Sequence, residues 1–150
     1  MLDTSPLTAA VERFADRLRA APQSRLQQGA AEVALDLARE LSLRAQRLEA
    51  AAAGGGDAGD AGEAAGAAPA RTMPDAGIFV VGDQLAVAGL DLAEALYAAA
   101  AGSGGSPGAT DAPGPSGASG ASGRDVVKAP SEMLDEAVRL VDQAEAGALR

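Results

Sequence analysis

The stretch from Met73 to Gly102 most constrains what this chain can fold into, because it is the longest apolar run and holds the only Ile, the only Tyr and one of the two Phe. Read as a helix, Ile78, Val81, Leu85, Ala88, Leu92 and Leu96 recur at steps of three and four, beside a stripe of small residues, Gly82, Ala86, Gly89 and Ala93. Val87, Leu90 and Tyr97 fall on the far side. A helix apolar on more than one face needs neighbours on more than one side, which places it at the centre of a small helical assembly. The run Gly77-Ile78-Phe79-Val80-Val81 also reads as a short strand closed by a Gly82-Asp83 turn, so Asp75 caps the helix on one reading and Asp83 on the other. A membrane span would need about 20 apolar residues. Asp83, Asp91 and Glu94 interrupt the run, so no membrane is expected as a partner.

Upstream, Ser5 can cap a first helix with Pro6 at its first position, and Leu7, Val11, Phe14, Leu18 and Ala21 follow as a narrow apolar stripe. Pro22 stops it. Ser24 to Gln27 reads as the capping box of a second helix, whose stripe of Leu26, Ala30, Val33, Leu37, Leu41, Ala45 and Leu48 fades into Ala50 to Ala53. So short a connection predicts an antiparallel helical hairpin over residues 1–53. Leu35 and Leu43 lie off the stripe as a second contact face. Arg44 sits close to it, paired with Glu40 one turn earlier or offered to an anionic partner.

Residues 54–72 and 102–124 are rich in Gly, Ala, Ser and Pro and read as flexible linkers. They leave 73–101 as a central helix packing on the hairpin and 125–150 as a tethered C-terminal helix. There Ser131 is the expected cap after Pro130, and Leu134, Ala137, Val138 and Val141 make a narrow face. Composition explains why that assembly needs all its parts. Ala supplies 39 residues while Leu, Ile, Val and Phe together supply 28, and with a net charge of −9 this approaches the composition of disordered chains. A marginal monomer, or a fold completed by a partner, is expected.

The chemistry open to the chain is narrow. Without Cys or His there is no disulfide, no thiolate, no imidazole base and no N/S zinc site, and the Gly runs are followed by no Gly-Lys-Ser/Thr, so they are not phosphate loops. Residues 1–53 balance seven acids against seven Arg, whereas the remainder carries the whole net charge of −9 and should repel nucleic acid. The carboxylates Asp83, Asp91 and Glu94, with Glu40 or Asp36, are the one set that could hold a metal, but the carboxylate-bridged helical sites also need Glu-x-x-His. The N-terminus shows no basic, then apolar, signal pattern, and a cytoplasmic location is expected.

The segments LTAAVERFADRLRAAPQSRL and MPDAGIFVVGDQLAVAGLDLAEAL, about a third of the chain, resemble short Ala-rich uncharacterised proteins of high-GC actinobacteria, a resemblance that implies no function. A looser one is to the helical-hairpin substrates and accessory proteins of type VII secretion, whose Trp-x-Gly turn is here Ala21-Pro22-Gln23. Taken together the sequence predicts an all-α, non-enzymatic module without a cofactor, for protein–protein interaction or self-association as a homodimer. The interaction candidates are Gly82, Ala86, Gly89, Ala93, Leu35, Leu43 and Arg44. The alternatives are a small carboxylate-based metal protein or enzyme, or a type VII secretion-related helical protein.

Overall fold

The computed structural model describes residues 1–54, 71–103 and 128–150. Every regular element among them is helical: α1 (Ser5–Ala20), a short α2 (Gln23–Arg25) leading through a π-helical turn (Leu26–Ala30) into α3 (Ala31–Gly54), α4 (Val81–Ser103) and α5 (Pro130–Ala148). The expected linkers, 54–72 and 102–124, lie mostly outside the described residues, although Gly54 closes α3 and Gly102 belongs to α4.

The helix starts are set by groups next to the expected ones. Ser5 is already the first helical residue and Thr4 precedes it as the cap without a side-chain bond; Asp3 Oδ1 accepts the Ser5 N–H at 3.0 Å, and bonding from Ser5 holds the Asp3 carboxyl below its ordinary range. The capping box at Ser24 and Gln27 does not form. Extended Pro22 occupies the cap position, its carbonyl accepts the N–H groups of Arg25 and Leu26, and Ser24 falls inside the first turn. Likewise Ala129 rather than Ser131 precedes α5, with Pro130 at its first position and Glu132 accepting the Ala129 N–H at 3.3 Å.

Gly29 breaks what the periodicity suggested was one continuous helix. Its φ of 118° is open to Gly and strained for other residues, and it kinks the chain between the first turn after Pro22 and α3. The apolar pattern keeps its phase across the kink, since Leu26 and Ala30 before α3 and Leu37, Leu41 and Ala45 within it are all buried. Leu35 turns inward and is buried, whereas Val33 is 37% exposed and Leu48 only half-buried. On α1, by contrast, Leu7, Val11, Phe14 and Leu18 are all buried as their spacing predicts.

The strand alternative at 77–81 is not adopted, since no strand among the described residues could pair with it. Gly77 takes a φ of 102°, residues 78–80 form a turn, and α4 begins at Val81. Asp75 serves that turn, not a helix, by accepting the Gly77 N–H at 2.9 Å, while Asp83 sits in the favourable first turn of α4.

The arrangement corrects the expected hairpin. α1 and α3 hardly touch; each packs on both α4 and α5, so the two N-terminal helices stand at opposite corners of a four-helix bundle. Gly82 of α4 faces Ala15 to Arg19 of α1 and Gly89 faces Val11, so these helices are antiparallel. Arg13 and Arg17 meet Asp142 and Glu145 in the same order, so α1 and α5 are parallel. Arg44 meets Glu136 while Val33 and Leu37 lie beside Leu140 and Ala144, so α3 and α5 are antiparallel. It follows that α3 and α4 run the same way, and the chain between them must return along the bundle. Its described part does so against α3. The Gln46 amide both donates to Arg71 O at 3.0 Å and accepts from Arg71 N at 2.9 Å, Arg39 Nε donates to Met73 O at 3.1 Å, and Gln84 Nε2 donates to Pro74 O at 2.7 Å. The physical reason for the correction is that α4 is apolar on two sides and displaces α1 from α3 by filling the space between them.

Candidate functional site

Two kinds of contact fix α4 and leave one of its faces open. On its inner side Val81, Leu85, Ala88, Leu92 and Leu96 are buried in the core. The small-residue stripe beside them, Gly82, Gly89 and Ala93, is also buried, with Ala86 half-buried. A Cβ on Gly82 would lie 3.2 Å from Ala15 O, and one on Gly89 would lie 2.6 Å from Val11 Cγ1, so the backbone that the missing side chains admit is that of α1. Gly82 and Gly89 are thus used within the chain, against α1.

The other sequence candidates are similarly placed. Leu35 is buried, lining a groove with Ile78 and Val81, and Leu43 is half-buried. Arg44 keeps 17% of its side chain exposed and is occupied twice: its Nε donates to Glu40 Oε1 at 2.8 Å and its Nη2 to Glu136 Oε1 at 3.0 Å. Glu136 also accepts from Lys128, and the bonds from Lys128 and Arg44 hold its carboxyl below the ordinary range.

The arginines of the neutral N-terminal segment, 1–53, thus bind the acidic C-terminal helix. Arg13 Nε donates to Glu145 Oε2 at 3.0 Å and its Nη2 to Asp142 Oδ1 at 2.6 Å; Arg25 Nη1 donates to the carbonyls of Leu149 and Arg150 at 3.0 and 3.2 Å. Glu145 is 6% exposed. Arg17 Nη1 lies 3.0 Å from its Oε1 without the alignment of a hydrogen bond, so that oxygen has an ion-pair contact only. These contacts anchor α5, and each Arg head that makes them is spoken for.

What remains open is the outward face of α4. Val87 is 55% exposed, Leu90 51% and Tyr97 45%, and Phe79 and Val80 continue the face beyond the helix start at 72% and 40%. Three carboxylates lie on this face: Asp83 accepts from Arg19 Nη2 at 2.6 Å and Nε at 3.1 Å, whereas Asp91 and Glu94 have no ion-pair partner among the described residues. Periodicity puts Val87, Leu90 and Tyr97 on the far side, and the glycines of the stripe, each costing about 1 kcal/mol in a helix, point to a close approach by the N-terminal helices or by a second copy. The approach is real; the approaching helix is α1.

The carboxylates considered for a metal do not converge. Asp83 is held by Arg19, Glu40 by Arg44, and Asp36 lies 3.7 Å from Arg39; no group of three or more acidic side chains suited to a metal ion occurs among the described residues. By length and composition α4 could cross a membrane, but its inner faces are taken by α1 and α3 and its outer face carries Asp83, Asp91 and Glu94. Comparison with known proteins finds no matching family model, no matching curated protein and no matching solved structure.

Proposed function

We infer that this protein is a non-enzymatic interaction module, cytoplasmic, that engages a protein through the outward face of α4. The observation that carries this reading is the row of Val87, Leu90 and Tyr97, each about half exposed on a helix whose other sides are buried. Large apolar side chains gathered on one face mark a contact surface, whereas single exposed ones need no explanation. Nucleic acid and anionic lipid are disfavoured as partners, because no Lys or Arg lies between Thr72 and Gly123.

A Val87→Ser, Leu90→Ser double variant tests this. Both positions are exposed, so the variant should melt as the wild type does, yet lose the association that wild type shows in sedimentation and in capture from its native cytoplasm. Identical behaviour of the two proteins in both measurements, or recovery of the wild type with membranes, overturns the reading. A melting temperature that rises with divalent metal would favour the carboxylate alternative instead.

A further inference from the structure

We propose that the outward face of α4 pairs, antiparallel, with the same face of a second copy of this chain. The proposal rests on the interaction reading above and names the occupant of that face. Along it stand Val80, Asp83, Val87, Leu90, Glu94 and Tyr97, separated by alternate steps of three and four, which is the spacing of a two-helix seam. The order is apolar, acidic, apolar, then apolar, acidic, apolar, and it is the same from either end.

That symmetry is what a two-fold interface requires, since a patch meeting its own copy must be complementary to itself. In an antiparallel pair the first set of seam positions on one helix faces the second set on the other. Val80 then lies across from Tyr97 of the second copy, Val87 from Leu90, and Asp83 from Glu94, and each pairing occurs twice. Every apolar side chain meets an apolar one.

Charge decides between the two directions. A parallel pair would set Glu94 against Glu94 and Asp83 against Asp83. The antiparallel pair brings Glu94 to the Asp83 of the second copy, where the fold already holds Arg19, 2.6 Å from that carboxylate and 45% exposed. A carboxylate buried at a contact is costly unless it meets a cation, and Arg19, which binds Asp83 through Nε and Nη2 and Asp16 through Nη1 at 2.8 Å, keeps one N–H on each terminal nitrogen for Glu94. α4 has no Lys or Arg of its own, so Arg19 from α1 is the cation this seam would use. With four apolar side chains per copy on a single helix, the contact is small, and a concentration-dependent dimer is expected, not an obligate one.

The chain contains no cysteine, which allows the geometry to be read by paired single-cysteine variants of the full-length protein. Leu90→Cys and Val87→Cys proteins carrying different tags are mixed with oxidised glutathione, which takes up the electrons of the two thiols. The crossed disulfide between the variants should exceed either self-disulfide, and wild type should sediment as a reversible dimer that Leu90→Asp converts to monomer. Predominance of the Val87→Cys self-disulfide would overturn the antiparallel pairing. A wild type monomeric up to submillimolar concentration would overturn the second copy altogether. In that last case a native partner lost in the Val87→Ser, Leu90→Ser variant would leave the interaction reading standing, and absence of such a partner would remove both.

Discussion

Gly89 of α4 rests directly on Val11 of α1: a Cβ built on the glycine would lie 2.6 and 2.7 Å from the two Val11 methyls and 3.0 Å from Val11 Cβ. Both residues are buried, and valine is β-branched with little freedom to turn aside. Replacing Gly by Ala improves helix propensity by roughly 1 kcal/mol, so propensity and packing oppose each other at this site. Packing should win. Gly89→Ala is expected to lower stability by about 1–3 kcal/mol, and Gly89→Leu by more, in urea unfolding. A Val11→Ala, Gly89→Ala double variant should recover part of the loss, because the two changes share one contact. An Ala variant as stable as wild type would show that α1 and α4 can separate freely.

Phe14 is the largest of the fully buried side chains and sits at the middle of the α1 stripe. Phe14→Ala should cost about 3–5 kcal/mol, which for a domain this poor in large apolar residues is enough to abolish cooperative melting. An unchanged melting curve would be incompatible with its burial.

The contact of Arg13 with Glu145 is asymmetric, because the carboxylate is 7% exposed and the guanidinium side chain 48%. Removing the arginine leaves a buried charge with the Arg17 contact alone, whereas removing the carboxylate leaves Arg13 on Asp142 and returns Arg17 to water. Arg13→Ala is therefore expected to destabilise the protein by about 1–3 kcal/mol, and Glu145→Leu to be near neutral or mildly stabilising. Thermal melts of the two variants check this; the reverse order would mean that Glu145 stabilises α5 beyond its packing.

Glu136 links α5 to Arg44 of α3, and the bonds from Lys128 and Arg44 depress its carboxyl pKa in the folded protein. A depressed folded pKa contributes stability that is present above the unfolded value, about 4.3 for Glu, and is lost as pH falls through the folded one. Wild type should accordingly melt higher than Glu136→Gln at neutral pH, with the difference closing as pH is lowered below about 4. A difference that grows on acidification would contradict the assignment.

Local pattern alone determined the helices themselves: Leu7, Val11, Phe14 and Leu18 declare the buried side of α1, and Leu85, Ala88, Leu92 and Leu96 that of α4, because a period of 3.6 is written in nearest neighbours along the chain. The absence of His and Cys and the crowding of positive charge into the first third were equally plain. Which helix meets which was decided only in three dimensions. Gly29 could be recognised as kinking α3 away from the Pro22 turn only once its φ was known, and Leu35 lies inward because α3 packs on both α4 and α5. Gly82 and Gly89 announce a close approach without naming the approaching helix, since a missing side chain has no address; α1 and a second copy satisfy the same stripe. Tertiary structure assigned Gly82 and Gly89 to α1, and left Val87, Leu90 and Tyr97 as the face that the described residues do not cover.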